Sequence, residues 1–179
     1  MLKKILIALV VIIVVLVAVI ALQPSEFRIM RSAAISAPAP AVFEQVNDFH
    51  NWQAWSPWAK RDPAAKATFE GPSAGTGAVF RWAGNEEVGE GSMTITESRP
   101  SDLIRIKLDF LKPFASTAAA EFTFKPVGNQ TAVTWSMTGT NNFVAKAICL
   151  FMDMEQMVGG DFEQGLAHMK SVVEAAPRP

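Results

Sequence analysis

The sequence contains no tyrosine, one cysteine and two histidines among its 179 residues. The single cysteine, Cys149, excludes an internal disulfide, so the stability of the fold must come from packing. Its apolar neighbours in AICLFM indicate a buried, inert thiol rather than a nucleophile. One cysteine and two widely separated histidines also exclude a conventional zinc site. We therefore expect neither a bound metal nor a cofactor.

Basic charge is scarce beyond the first residues. Lys3 and Lys4 are two of the 16 basic residues, and the rest of the chain carries 14 against 17 acidic residues. Because phosphate binding requires concentrated lysine and arginine, nucleic acids and anionic lipid surfaces are disfavoured as partners. The glycine-rich stretch 71–77 lacks the lysine and the hydroxyl residue that complete a P-loop, which indicates a turn.

Charge is also absent from residues 5–22, whose sequence is ILIALVVIIVVLVAVIAL. A run of about 18 apolar residues is close to the minimum for a transmembrane helix, and the two lysines before it favour a cytoplasmic N-terminus. We expect residues 1–24 to form a single-pass anchor and short linker in the cytoplasmic (inner) membrane, with a periplasmic or extracytoplasmic domain over 25–176. A signal peptide cleaved after Val19-Ile20-Ala21 is the alternative, although such peptides usually have a shorter apolar run.

The chain beyond the anchor is long enough for one domain with a core. Residues 27–37 predict a strand, and Pro40 suits the first turn of the short helix that follows. From Ala67 onward the apolar period changes to two, and turn residues separate six predicted strands. Those segments are 67–71, 78–84, 88–98, 103–111, 117–127 and 130–140. Alternation of apolar and polar residues over 104–110 indicates an antiparallel sheet with one buried and one solvated face.

The last third of the chain has helical periodicity. Apolar residues recur at helical spacing over 143–158, and Gly159-Gly160 predicts an interruption. Asp161 is then expected to cap a second helix. Its apolar face comprises Phe162, Leu166, Met169 and Val173. The predicted fold is α+β, a curved antiparallel sheet with a long C-terminal helix across its concave face.

Three segments in this order resemble a known superfamily: SAPAPAVFEQVNDFHNWQAWSPW, GEGSMTITESRPSDLIRIKLDFLKPF and DFEQGLAHMK. They resemble the START-like, helix-grip proteins of the SRPBCC superfamily, and within it the polyketide cyclase/dehydrase-like branch. The resemblance spans Phe27 to Glu174. It implies a hydrophobic cavity between the sheet and the C-terminal helix. The superfamily includes lipid carriers, hormone-binding receptors, aromatase/cyclases and chaperone activators, so it leaves several functions open.

Three of the five tryptophans lie in NWQAWSPW at intervals of three residues. That spacing places Trp52 and Trp55 on one helical face, and Pro57 ends the helix before Trp58. A nucleic-acid stacking platform would need a basic groove, which this segment lacks. We expect the first two tryptophans to close one end of the implied cavity. The full set of expected ligand-binding residues is Trp52, Trp55, Phe80, Trp82, Phe110, Trp135, Met137, Phe151 and Met154.

These features favour a membrane-anchored extracytoplasmic protein that binds a hydrophobic small molecule or lipid. A cyclase, dehydratase or hydrolase acting on an apolar substrate is the first alternative. His50 beside the tryptophans and Glu90 on a strand are its candidate general acid and base, whereas His168 is expected to face solvent. The second alternative is a protein–protein adaptor, because the methionine-rich segment 149–157 suits adaptable apolar contacts.

Overall fold

The computed structural model describes residues 1–176 and shows the α+β helix-grip fold that the sequence predicts. Its seven strands are β1 (Glu26–Ile35), β2 (Lys66–Glu70), β3 (Val79–Ala83), β4 (Glu90–Arg99), β5 (Leu103–Lys112), β6 (Ser116–Val127) and β7 (Gln130–Thr140). Its helices are α1 (Leu2–Leu22), α2 (Ala39–Asn47), α3 (Trp52–Trp55), α4 (Pro57–Arg61), α5 (Phe143–Cys149) and α6 (Met154–Ala175). A 3-10 helix, Phe49–Asn51, joins α2 to α3.

The strands form one antiparallel sheet in the order β1-β7-β6-β5-β4-β3-β2. All seven coincide with predicted segments to within two residues. Glu26 pairs with Thr140 at one end of the sheet, and Ile35 pairs with Thr131 at the other. The first end also holds the β5–β6 turn, residues 113–115, and we call it the proximal end. The opposite end is the distal end.

The short helices bring the tryptophan segment onto the sheet. Val42, Phe43 and Val46 form the buried face of α2, as their spacing predicts. The helix α3 ends before Pro57, which occupies the first turn of α4, where a missing N–H costs nothing. Trp58 therefore lies in a separate helix from the two tryptophans before it.

The distal half of the molecule holds the sealed core, between the sheet and α6. Phe162, Leu166, Met169 and Val173 are all buried, which confirms the predicted apolar face of this helix. They belong to one cluster with buried residues of the sheet and of α2. Burying each of these side chains stabilises the fold by roughly 1.5–3 kcal/mol.

The predicted interruption of the C-terminal helix at Gly159-Gly160 is wrong, because α6 runs through both residues. The break lies instead between Cys149 and Met154, and the Asp153 carboxylate caps α6 by accepting a hydrogen bond of 2.9 Å from the Gln156 N–H. Gly159 is buried because the Arg31 guanidinium crosses the helix there and leaves no room for a Cβ atom. The glycine therefore allows the guanidinium to approach the helix backbone closely, and it does not end the helix.

Among residues 1–176, one helix, α1, is long and apolar enough to cross a membrane. A signal sequence near the N-terminus would have the same length and composition. Ile20 is its only buried residue. The last turn of the helix lies beside α5, where the Lys146 ammonium group donates to the Ala21 carbonyl at 3.4 Å. The N-terminal helix is thus in contact with the domain at the proximal end of the sheet.

Candidate functional site

Burial along the inner face of the sheet falls from the distal to the proximal end. On β5, Ile104 and Ile106 are sealed from solvent, whereas Leu108 and Phe110 are only half-buried. On β7, Val133 is fully buried and Met137 is half-buried. All of these side chains point toward α6 or the space before it, so the interior is filled at one end and open at the other.

Small residues make this space at the proximal end of the sheet. Ala118 and Ala120 occupy inner positions of β6, and they pair across the strands with Gly139 and Met137. Larger side chains at the two alanines would fill the gap. The resulting cavity has a volume of about 1380 Å³ and is lined mainly by apolar side chains.

Aromatic rings form the walls of the cavity. Trp82 stacks on Phe80 with 6.0 Å between ring centroids and meets the edge of Phe110 at 6.1 Å. The Trp82 indole N–H donates to the Val88 carbonyl at 3.2 Å, which fixes the ring. Deeper inside, Trp135 stacks on Phe162 of α6 with 4.0 Å between ring centroids. The walls are therefore aromatic and apolar.

The opening of the cavity lies at the proximal end, and we call it the mouth. Phe114 of the β5–β6 turn, Val144 of α5 and Met157 of α6 line it and are exposed. Cys149 also lines it and is exposed, so the prediction of a buried thiol is wrong. Of the apolar neighbours that suggested burial, Ala147 and Ile148 belong to α5, a helix with no buried residue, and the other three follow the end of that helix.

Seven of the nine expected ligand-binding residues line the cavity: Trp52, Phe80, Trp82, Phe110, Trp135, Met137 and Met154. Trp55 does not, because it is fully buried behind Trp52 and donates its indole N–H to the Gln45 carbonyl at 2.9 Å. Phe151 does not either, since it lies outside the cavity between α5 and α6 with 80% of its surface exposed. The helical periodicity predicted which face of a helix these two residues occupy, but it did not predict how deeply each is buried.

Several residues that line the cavity were not predicted from the sequence. Phe69 and Leu108 line the sheet side, and Val144 and Ile148 line the α5 side. The alternation of β5 already placed Leu108 on the same face as Phe110. In the predicted helix over 143–158 only Phe151 and Met154 were expected to bind ligand, and no signal distinguished the two lining residues of α5.

The candidate acid–base residues lie outside the cavity lining. His50 is exposed, stacks on Phe69 at 4.0 Å and bonds through Nδ1 to the Asp48 carboxylate at 2.7 Å. Glu90 pairs with the Lys112 ammonium group at 2.7 Å. His168 is half-buried on α6, with Nε2 3.4 Å from the Lys60 ammonium nitrogen, and so does not face solvent freely. Within residues 1–176, no three His, Cys, Asp or Glu side chains group as a metal site.

Two arginines tie α6 to the rest of the fold beside the cavity. Arg61 of α4 donates to both carboxylate oxygens of Asp161, so the expected N-cap residue is instead a helix-interior ion-pair partner. Arg31 of β1 reaches Glu155 at 2.7 Å and Glu163 at 2.6 Å, one helical turn on either side of Gly159. Hydrogen bonds to these two carboxylates raise the pKa of the Arg31 guanidinium above its usual value. Through these ion pairs the two arginines hold the cavity-lining half of α6 in position.

Comparison with known proteins agrees with this architecture. A family model described as polyketide cyclase / dehydrase and lipid transport matches residues 26–174. A search of curated proteins finds no match.

Solved structures of the same fold share little sequence with the chain. A protein of Chromobacterium violaceum is 15% identical, with a TM-score of 0.60 over 86% of this chain and all of its own. The Aha1 dimer from Colwellia psychrerythraea is 14% identical, with a TM-score of 0.60 over 83% of this chain and 97% of that one. The di-domain ARO/CYC protein BexL of the BE-7585A biosynthetic pathway is 19% identical, with a TM-score of 0.62 over 90% of this chain and 54% of that one.

Proposed function

We propose that this chain, which belongs to the polyketide cyclase/dehydrase and lipid transport family, is a membrane-anchored binding protein for a hydrophobic small molecule or lipid. The observation that carries the proposal is the cavity of about 1380 Å³ with half-buried aromatic walls. Protein interiors are normally close-packed, and an apolar space of this size costs stability unless something fills it. An apolar ligand would recover about 25 cal/mol for each Å² of wall that it covers.

The size of the cavity and its aromatic walls favour a lipid or a polycyclic molecule. Pockets for drug-sized ligands occupy roughly 300–1,000 Å³, so this cavity has room for a larger ligand. The stacked pair of Phe80 and Trp82 and the deeper Trp135 offer ring faces for a flat or extended apolar group.

The membrane part of the proposal rests on α1. Residues 1–24 serve as an anchor and linker, and residues 25–176 form the binding domain. Lys3 and Lys4 keep the N-terminus in the cytoplasm, which places the domain on the extracytoplasmic side of the cytoplasmic membrane.

Binding is favoured over catalysis by the position of the candidate acid and base, His50 and Glu90, which do not line the cavity. An acid or base must reach its substrate to within a hydrogen bond or one water molecule. Neither histidine lines the cavity, and Glu90 is engaged with Lys112 beside it. The Arg61–Asp161 pair on the wall is mutually satisfied, which suits a structural role.

A matched pair of phenylalanine variants tests the binding function. The full chain in detergent is titrated with an apolar fluorescent probe while quenching of tryptophan emission is followed. Phe110→Ala removes a wall ring and should weaken probe binding about ten- to a hundredfold, since the burial of one such ring contributes about 1.5–3 kcal/mol. Phe151→Ala removes a ring outside the cavity and should leave the affinity unchanged. Equal affinities for all three folded proteins, or no binding at all, would refute the proposal.

A further inference from the structure

The mouth of the cavity and the end of α1 lie at the same end of the sheet. β1 begins at Glu26 opposite Thr140, and β6 begins at Ser116 opposite Phe110. These pairs mark the proximal end, where the β5–β6 turn lines the mouth. Because β1 directly follows the linker after α1, the N-terminal helix enters the domain at this end.

The connection between α1 and the domain is short and anchored. Three residues separate Leu22 from Glu26, which allows a reach of about 10 Å at most. The Asn141 N–H donates to the Ser25 carbonyl at 2.7 Å, and Ile20 is buried at the helix end. With α1 embedded in a bilayer, the proximal end is therefore held against the membrane surface.

Large apolar side chains are exposed around the mouth. Phe114 lies on the β5–β6 turn, Phe143 on α5, and Phe151 and Met152 between α5 and α6. They surround the helix that touches α1, and they lie outside the sealed core. Exposed apolar patches of this kind mark contact surfaces on soluble domains.

The distal end of the sheet has a different surface. Its turns contain Ser101 and Asp102 between β4 and β5, and Gly128 and Asn129 between β6 and β7. Among residues 1–176, Val127 is the exposed large apolar residue at this end. The apolar surface is thus concentrated at the end that continues from α1.

We propose that the mouth docks on the bilayer that holds α1, with Phe114, Phe151 and Met152 inserted into the interfacial region. Side chains of an interfacial apolar surface reach roughly 5–10 Å into the headgroup and acyl boundary. The cavity then opens to lipid rather than to water, and an apolar ligand exchanges with the membrane without crossing solvent. This inference rests on the proposed function, in which α1 crosses the membrane.

Depth-dependent fluorescence quenching tests the docking. The full chain with Cys149→Ser is reconstituted into phosphatidylcholine vesicles that carry lipid-linked spin quenchers. An environment-sensitive dye is attached at one new cysteine: Phe151→Cys at the mouth, Val127→Cys at the distal end, or Ile13→Cys within α1. We expect a blue-shifted, quenched dye at the first position and an unshifted, unquenched dye at the second.

The three positions separate failure of docking from failure of the anchor. Quenching at Ile13→Cys with none at Phe151→Cys would overturn the docking and leave the anchor intact. Absence of quenching at Ile13→Cys would refute the membrane part of the proposed function. Equal quenching at Phe151→Cys and Val127→Cys would show non-specific adsorption and would also overturn the docking.

Discussion

Three aromatic side chains of the cavity lining lie directly against a glycine. Trp82 covers its cross-strand neighbour Gly91, and Phe27 covers Gly139 in the same way. Trp135 lies against Gly165 of α6. A Cβ atom at Gly91 would lie 2.5 Å from Trp82 Cζ2, closer than real contacts allow. The glycines therefore fix how far each ring can approach the backbone, and so they shape the cavity.

Two glycines of α6 provide a matched test of this shaping. Gly165 is buried, and a Cβ atom there would lie 2.9 Å from Trp135 Cζ3. Gly160 is exposed and has open space around it. Both replacements by alanine should gain about 1 kcal/mol of helix propensity. Gly165→Ala should nevertheless lower the free energy of unfolding by about 1–3 kcal/mol relative to Gly160→Ala, because it overpacks the core.

Urea denaturation of the two variants measures this difference. Equal stabilities would show that the contact between Gly165 and Trp135 does not limit packing.

For single residues, the sequence predicted which aromatic side chains lie near the cavity better than it predicted how deeply each is buried. Trp52 and Trp55 have the same spacing and the same composition around them, yet one lines the cavity and the other is sealed behind it. Both rings pack against Phe122 and Trp135, which belong to strands that lie far away in sequence. Such tertiary contacts leave no trace in local periodicity.

The helices α5 and α6 show that local periodicity predicts a helix better than it predicts where the helix ends. Helical spacing over 143–158 predicted one helix with a buried face, but the structure has a break before Asp153, whose side chain caps α6. Glycine pairs are typical of helix ends, so Gly159-Gly160 gave the wrong boundary. The role of Gly159, which is to make room for the Arg31 guanidinium, depends on β1 and could not be predicted from the local sequence pattern.

The seven-residue helix α5 should be the least stable covering of the cavity. It has no buried residue, whereas α6 has six. Local opening is easiest where few apolar contacts must break. We expect the amides of α5 to exchange with deuterium faster than those of α6 residues 162–173, and a bound apolar ligand to slow exchange in α5 selectively. Equal protection of both helices without ligand would contradict the view of α5 as a movable cover.

For the whole molecule, the fold could largely be predicted from the sequence, but the site could be predicted only in part. Alternation located six of the seven strands, because an antiparallel sheet of this kind has one face toward the core and one in solvent. The existence of an unfilled space was not visible in that alternation. It depends on Ala118, Ala120 and Gly139 meeting across strands, and on α5 standing away from the sheet.

The whole-molecule proposal joins an apolar cavity, an N-terminal apolar helix and an exposed apolar rim at one end of the domain. Native mass spectrometry of the full chain, released gently from its membrane and followed by solvent extraction, is the most direct test of the central claim that the cavity holds an apolar ligand. The expected result is a discrete added mass that organic solvent removes and that proves to be a lipid or another apolar molecule. A clean mass of the unliganded chain, from protein that also fails to take up an apolar probe, would contradict the claim.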